Sequence, residues 1–136
     1  TDGNKMSKSR NNIIDIFLPE KKLRKQIMSI QTASTSLEDP KKTENCNVFS
    51  LYKLLATDEQ LAQMEKKYQA GGYGFGHAKQ ELFELILESF NQERTLYFKL
   101  MENKEELDQV LLIGANKARK TASEVLKRVR AKPGYL

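Results

Sequence analysis

The chain has 136 residues, with 23 lysines and arginines against 18 aspartates and glutamates, one cysteine and one histidine. An internal disulfide framework and a Cys/His structural zinc site are excluded by ligand count, and no run approaches the ~18 apolar residues that span a bilayer. With 39% apolar and 30% charged residues, the composition is that of a folded domain with a core, not of a disordered tail.

The formal charge of +5 is a mild bias, compatible with RNA contact but carried by many domains with no such role. A single cysteine sets reducing, cytoplasmic surroundings as the expectation. Thr1-Asp2-Gly3-Asn4 is polar turn chemistry without an apolar leader, and it reads as a longer chain cut in a loop. Residues 1–12 are polar and basic. Ile13-Ile14 and Ile16-Phe17-Leu18 form a short apolar patch broken by Asp15, either a short strand or a helical turn. Pro19 permits a helix start with Glu20 in its first turn, and Leu23, Ile27 and Ile30 fall on one face with Met28 beside them.

Residues 31–45 lose periodicity and read as a loop. Asn45 or Asn47 is expected to cap the next helix, which carries Val48, Phe49, Leu51, Tyr52, Leu54 and Leu55 and is expected to be the most buried element. Thr57 with Gln60 forms a capping box, and the helix behind it presents Leu61, Met64 and Tyr68 before stopping at Gly71-Gly72. From His77 one long helix is expected to run towards Met101, with Leu82, Leu85, Ile86, Phe90 and Tyr97 at helical spacing. Asn103 with Glu106 is a second capping box. The last helix carries Leu107, Leu111, Ala115, Ala118, Ala122, Val125, Leu126 and Val129 until Pro133-Gly134. The expected fold is all-α, a bundle of about five helices behind an extended loop.

Three constellations could carry chemistry. The first is Lys5-Met6-Ser7-Lys8-Ser9. Two lysines and two serines in five residues suit a polyphosphate, since ammonium groups, hydroxyls and loop amides can satisfy phosphate oxygens. Taken alone, the cluster is a solvated basic loop before it is a phosphate site, because lysines are usually exposed. The second is Gly71-Gly72-Tyr73-Gly74-Phe75-Gly76. It lacks the Gly-Lys-Ser/Thr of a P-loop and the preceding strand of a dinucleotide fold, and reads as a tight interhelical connection anchored by Tyr73 and Phe75. A surface touching RNA or a neighbouring domain is the alternative. The third is the basic set Lys117, Arg119, Lys120, Lys127, Arg128, Arg130 and Lys132, either a solvated helix face or a set of phosphate contacts. His77 and Cys46 read as structural, and no metal site is expected.

Lys5-Met6-Ser7-Lys8-Ser9 resembles, in all five positions, the second signature motif of class I aminoacyl-tRNA synthetases. Asn12-Ile13-Ile14, the run Leu23 to Ile30, Cys46 to Leu54, Gly74 to Lys79 and Ala122 to Leu126 are similar, in the same order, to bacterial tryptophanyl-tRNA synthetases. The resemblance implies that the loop closes over ATP. Lys8 would contact the leaving pyrophosphate, Lys5 and Ser7 would shape the loop and complement charge, and Met6 and Ser9 would complete the ATP-facing stretch. It also implies ATP with magnesium, L-tryptophan and tRNA(Trp) as the reacting set, a homodimer, and no membrane.

On this reading residues 1–18 belong to a catalytic domain whose α/β nucleotide-binding sheet lies elsewhere, and residues 19–136 form the anticodon-recognising helical domain. The tRNA contacts would come from Lys117, Arg119, Lys120, Lys127 and Arg128. The piece alone would be inactive. The alternatives are a free-standing helical RNA-binding or protein-interaction module, and a tyrosine-specific sibling enzyme.

Overall fold

A computed structural model describes residues 1 to 134, and among these all regular structure is helical. A single 3-10 turn, Lys8–Arg10, precedes six α-helices: α1 (Glu20–Met28), α2 (Asn47–Tyr52), α3 (Asp58–Ala70), α4 (Phe75–Ser89), α5 (Asn91–Glu102) and α6 (Lys104–Ala131). The patch after the loop is neither strand nor helix. Asp15 makes a side-chain turn, its carboxylate accepting from the Phe17 amide at 3.0 Å and its carbonyl from Leu18 at 3.2 Å. The helix expected from His77 to Met101 starts two residues earlier and is interrupted at Phe90, whose φ of −113° and ψ of 21° leave the helical region while its ring packs against the core.

The chain divides into two compact units, one ending at Arg94 and the other beginning at Thr95. In the first, α1 and α2 both pack on α4. Leu23, Ile27 and Ile30 of the first helix region meet Val48, Met64, Tyr68, Ala78 and Leu82, all but shut off from solvent. Each such Leu or Ile contributes about 1.5–3 kcal/mol through removal of apolar surface from water. The helix with five buried residues is α4. The expectation that α2 is the most buried is corrected: Val48 and Tyr52 are inside, but Leu54 lies beyond its end and is 76% exposed. Its capping is corrected as well. Cys46 occupies the N-cap without a side-chain capping bond, while Asn45 takes a positive φ of 59° that turns the chain into the helix. The Thr57–Gln60 capping box forms in both directions, at 3.3 and 2.9 Å.

The Gly71-Gly72 connection positions the 36–41 loop. Gly71 adopts φ 74° and Gly72 φ 71°, and the Gly72 amide donates to the Leu37 carbonyl at 3.0 Å. Tyr68 lies within 6.0 Å, ring centre to ring centre, of Phe49, Tyr73 and Phe75. Beneath the loop sits Lys41, only 4% exposed. Its ammonium donates to the carbonyls of Ser36, Leu37 and Asp39 at 3.1, 3.2 and 3.1 Å and lies 5.7 Å from the Phe75 ring centre. All three donors of a lysine are thereby used.

In the second unit, α6 is started by Asn103, whose side-chain oxygen accepts from the Glu106 amide at 3.3 Å. None of its residues is buried. At about 100° per residue, Leu107, Leu111, Ala118, Ala122, Val125 and Val129 form one narrow apolar stripe along it. No helix among the described residues is long and apolar enough to cross a membrane.

Candidate nucleotide loop and basic helix

The Lys5 to Ser9 segment is held from inside its own loop. Ser7 has extended backbone and caps the 3-10 turn, its hydroxyl accepting from the Arg10 amide at 3.3 Å and lying 3.1 Å from the Ser9 hydroxyl. Asn11 closes the turn in the left-handed region, φ 53°, with its amide donating to the Lys8 carbonyl at 3.1 Å. A short polar side chain tolerates that conformation better than most. The reversal brings Asn12 back under the loop, where it is 3% exposed. Its side-chain oxygen accepts from the Ser7 amide at 2.8 Å, and its side-chain nitrogen donates to the Asp2 carboxylate at 2.9 Å and the Lys5 carbonyl at 3.3 Å. Lys5, Lys8, Ser9 and Arg10 are exposed, and Ser7 is half-buried. Met6 lines a small apolar recess of about 130 Å³ with Ile14, Ile16, Leu51, Leu82 and Phe90. The chain thus presents two ammonium groups and a guanidinium on a backbone that is internally fixed.

Asp2 is the acidic member of this loop. Hydrogen bonds from the Asn12 side chain, and next from Asn4, hold its carboxyl at about 2, below the ordinary 3.8. Because the folded value is depressed, the contribution is complete above the unfolded value and is lost as pH falls through about 2. Carbon-13 titration of Asp2 is expected to give a midpoint near 2, moving towards 3.8 in Asn12→Ala. A wild-type midpoint at the ordinary value would mean that the Asn12 bond is not kept in solution.

The segment that follows is anchored by Arg94, 6% exposed, whose guanidinium donates to the Ile16 and Leu18 carbonyls. Elsewhere in this unit His77 accepts from the Gly74 amide through Nδ1 at 3.3 Å, and buried Cys46 lies 3.6 Å from the Tyr68 hydroxyl. Burial above all pushes the Tyr68 phenol up. Burial lowers Lys79, whose ammonium donates to the Met28 carbonyl at 3.1 Å. A cleft of about 500 Å³ between the 31–47 loop and Phe75 contains no residue of the Lys5–Ser9 segment.

On α6, Lys117, Arg119, Lys120, Lys127 and Arg128 are all exposed. Helical phase sorts them: Lys117, Lys120, Lys127 and Arg128 share an arc of about 100°, whereas Arg119 lies on the other side, hydrogen-bonded to Asn116 at 3.1 Å.

No family model matches the chain. Tryptophan–tRNA ligase of Campylobacter jejuni is 47% identical over 134 residues, 98% of this chain and 42% of that protein. The chain is homologous to the C-terminal part of tryptophan–tRNA ligases. The ligase of Fusobacterium nucleatum is 43% identical over 96% of the chain and 40% of its own length, so the chain spans about two-fifths of these two relatives. A crystal structure of the Campylobacter jejuni tryptophanyl-tRNA synthetase superposes with a TM-score of 0.93, covering 98% of this chain and 43% of that one. A second, of that enzyme complexed with ADP and tryptophan, gives 0.92. Neither the free-standing module nor the tyrosine-specific sibling is favoured by these matches.

Three residues that order loops of the first unit escaped the sequence reading: Asn12 beneath the five-residue segment, Lys41 beneath the 36–41 loop and Arg94 behind residues 16 and 18. Asn12 carried one signal, the second amide of Asn11-Asn12 set directly before the apolar patch. The other two look like any surface cation in the sequence.

Proposed function

We propose that this chain supplies the ATP-facing loop and the tRNA-recognising helical region of a cytoplasmic, dimeric tryptophan–tRNA ligase. Residues 1–18 serve the catalytic domain and residues 19–136 the tRNA. The observation that carries the reading is a complete five-residue signature on an exposed, internally braced cationic loop, within a chain 47% identical to a tryptophan–tRNA ligase over 98% of its length.

In the reaction the tryptophan carboxylate attacks the α-phosphorus of ATP, and the bond to pyrophosphate breaks. Tryptophanyl-adenylate then passes its acyl group to the 3′ end of tRNA(Trp). Negative charge grows on the departing pyrophosphate, and fixed positive charge there lowers the barrier. Lys8 meets that charge, Lys5 adds to the field, and the Ser7 and Ser9 hydroxyls offer neutral donors. Magnesium would arrive with the nucleotide phosphates, as it usually does, and no residue here is assigned to it. Lys117, Lys120, Lys127 and Arg128 are the phosphate contacts, with Arg119 on a separate face.

Tryptophan-dependent ATP–pyrophosphate exchange by the full-length polypeptide is the test. Exchange with tryptophan and not tyrosine is expected. Exchange driven by tyrosine would keep the chemistry and overturn the specificity, and none with either amino acid would overturn the activity.

A further inference from the structure

Asn12 lies outside the five-residue signature, yet it is the only side chain with hydrogen bonds to the backbone of two signature residues among those described. We propose that Asn12 is a positioning residue that fixes the shape in which the loop presents Lys5 and Lys8 to the nucleotide. The inference rests on the ligase reading above.

The chemistry of the side chain is matched to the task. The Ser7 amide needs an acceptor, whereas the Asp2 carboxylate and the Lys5 carbonyl need donors. A carboxamide of this length offers one oxygen and two N–H groups and meets all three demands at 2.8, 2.9 and 3.3 Å. Aspartate would offer no donor and would set a second carboxylate against Asp2. Alanine would leave the Ser7 amide and the Lys5 carbonyl without this partner. Burial strengthens the case, since a buried amide with every group satisfied is rigid and one with unmet groups is costly. Asn11, in its left-handed conformation, is what returns the chain beneath the loop, so position 12 reaches both Lys5 and Ser7. Asn12 itself touches no nucleotide in this scheme. It holds the backbone of Lys5 and Ser7, and Ser7 in turn caps the turn that begins at Lys8.

A loop of fixed shape lets the lysines meet growing negative charge without reorganising, and a displacement of about 1 Å can cost on the order of 10²-fold in rate. Three forms of the full-length polypeptide decide the matter beside wild type: Asn12→Ala, Asn12→Asp, and the exchange of partners Asp2→Asn with Asn12→Asp. Both single variants are expected to lose about 10²-fold in pyrophosphate-exchange kcat/KM and to expose the Ser7 amide to hydrogen exchange. The paired exchange restores an amide–carboxylate bond with donor and acceptor reversed and keeps an acceptor for Ser7. It is expected to recover most of both the rate and the Ser7 protection.

A role confined to stability would lower Tm without rescue by the swap, and that result would overturn the proposal. So would Asn12→Ala with wild-type exchange kinetics, which leaves the ligase reading intact. Wild-type protein without tryptophan-dependent exchange would instead remove the ligase reading, on separate grounds.

Discussion

Lys8→Ala in the full-length polypeptide is expected to slow tryptophan activation by about 10²–10³-fold, the loss that follows removal of one preorganised donor from a developing anion. Tryptophan affinity should be nearly unchanged. Lys8 opens the 3-10 turn with its carbonyl tied to the Asn11 amide and its side chain exposed, so truncation removes a charge and leaves the backbone braced. The amino acid carries no phosphate, and its binding has no use for the ammonium. On the proposed reading the charge is needed when the α-phosphorus–oxygen bond breaks, and an interaction made only then acts on kcat. Pre-steady-state formation of tryptophanyl-adenylate is the measurement, with Lys8→Arg as the partner variant that keeps the charge. An unchanged single-turnover rate in Lys8→Ala would remove Lys8 from the mechanism.

Gly71→Ala is expected to be the most damaging small substitution in the first unit, at about 3 kcal/mol. A β-carbon there would sit 2.3 Å from the Glu38 carbonyl oxygen, a backbone atom that cannot swing aside. The residue also has φ 74° and ψ 175°, a region essentially reserved for glycine, where other residues incur about 1–3 kcal/mol of strain. Gly72 is the internal control. It has φ 71°, but a β-carbon would meet nothing within 4 Å, so Gly72→Ala carries the conformational cost alone, about 1 kcal/mol. Thermal unfolding distinguishes them, at about 4–8 °C per kcal/mol for a unit of this size. Equal shifts for the two variants would show that the loop moves to admit the methyl group.

The helix faces were legible because they repeat. Leu23, Ile27 and Ile30 follow the helical period and are buried as read, and Thr57 with Gln60 is a local signal that needs no distant partner. The break at Phe90 was not legible, since Leu82, Leu85, Ile86 and Phe90 keep helical spacing while only tertiary packing turns that residue out of the helical region. Asn45 and Asn47 both looked like caps, and the choice of Cys46 depends on where the preceding loop enters. The signature loop was found from its residue types, but its bracing was not. Arg94 reaches carbonyls 78 and 76 positions away, and no spacing rule connects a side chain with a backbone oxygen at that range. The basic residues of α6 were visible as a set, and their division between faces needed an unbroken helix to define the phase.

The ammonium of Lys41 occupies the place that a bound potassium or sodium ion would take in a loop of converging carbonyls. Here the ion is part of the polypeptide. It cannot be dialysed away, stripped by a chelator or displaced by a competing salt, and its occupancy does not vary with the medium. The 36–41 loop should therefore keep its shape from low salt to high, while contacts made by the exposed lysines of the signature loop and of α6 weaken as the ionic strength rises. One residue type thus works in two electrostatic regimes within a single chain, as permanent internal counter-charge at one position and as salt-sensitive surface charge at the others.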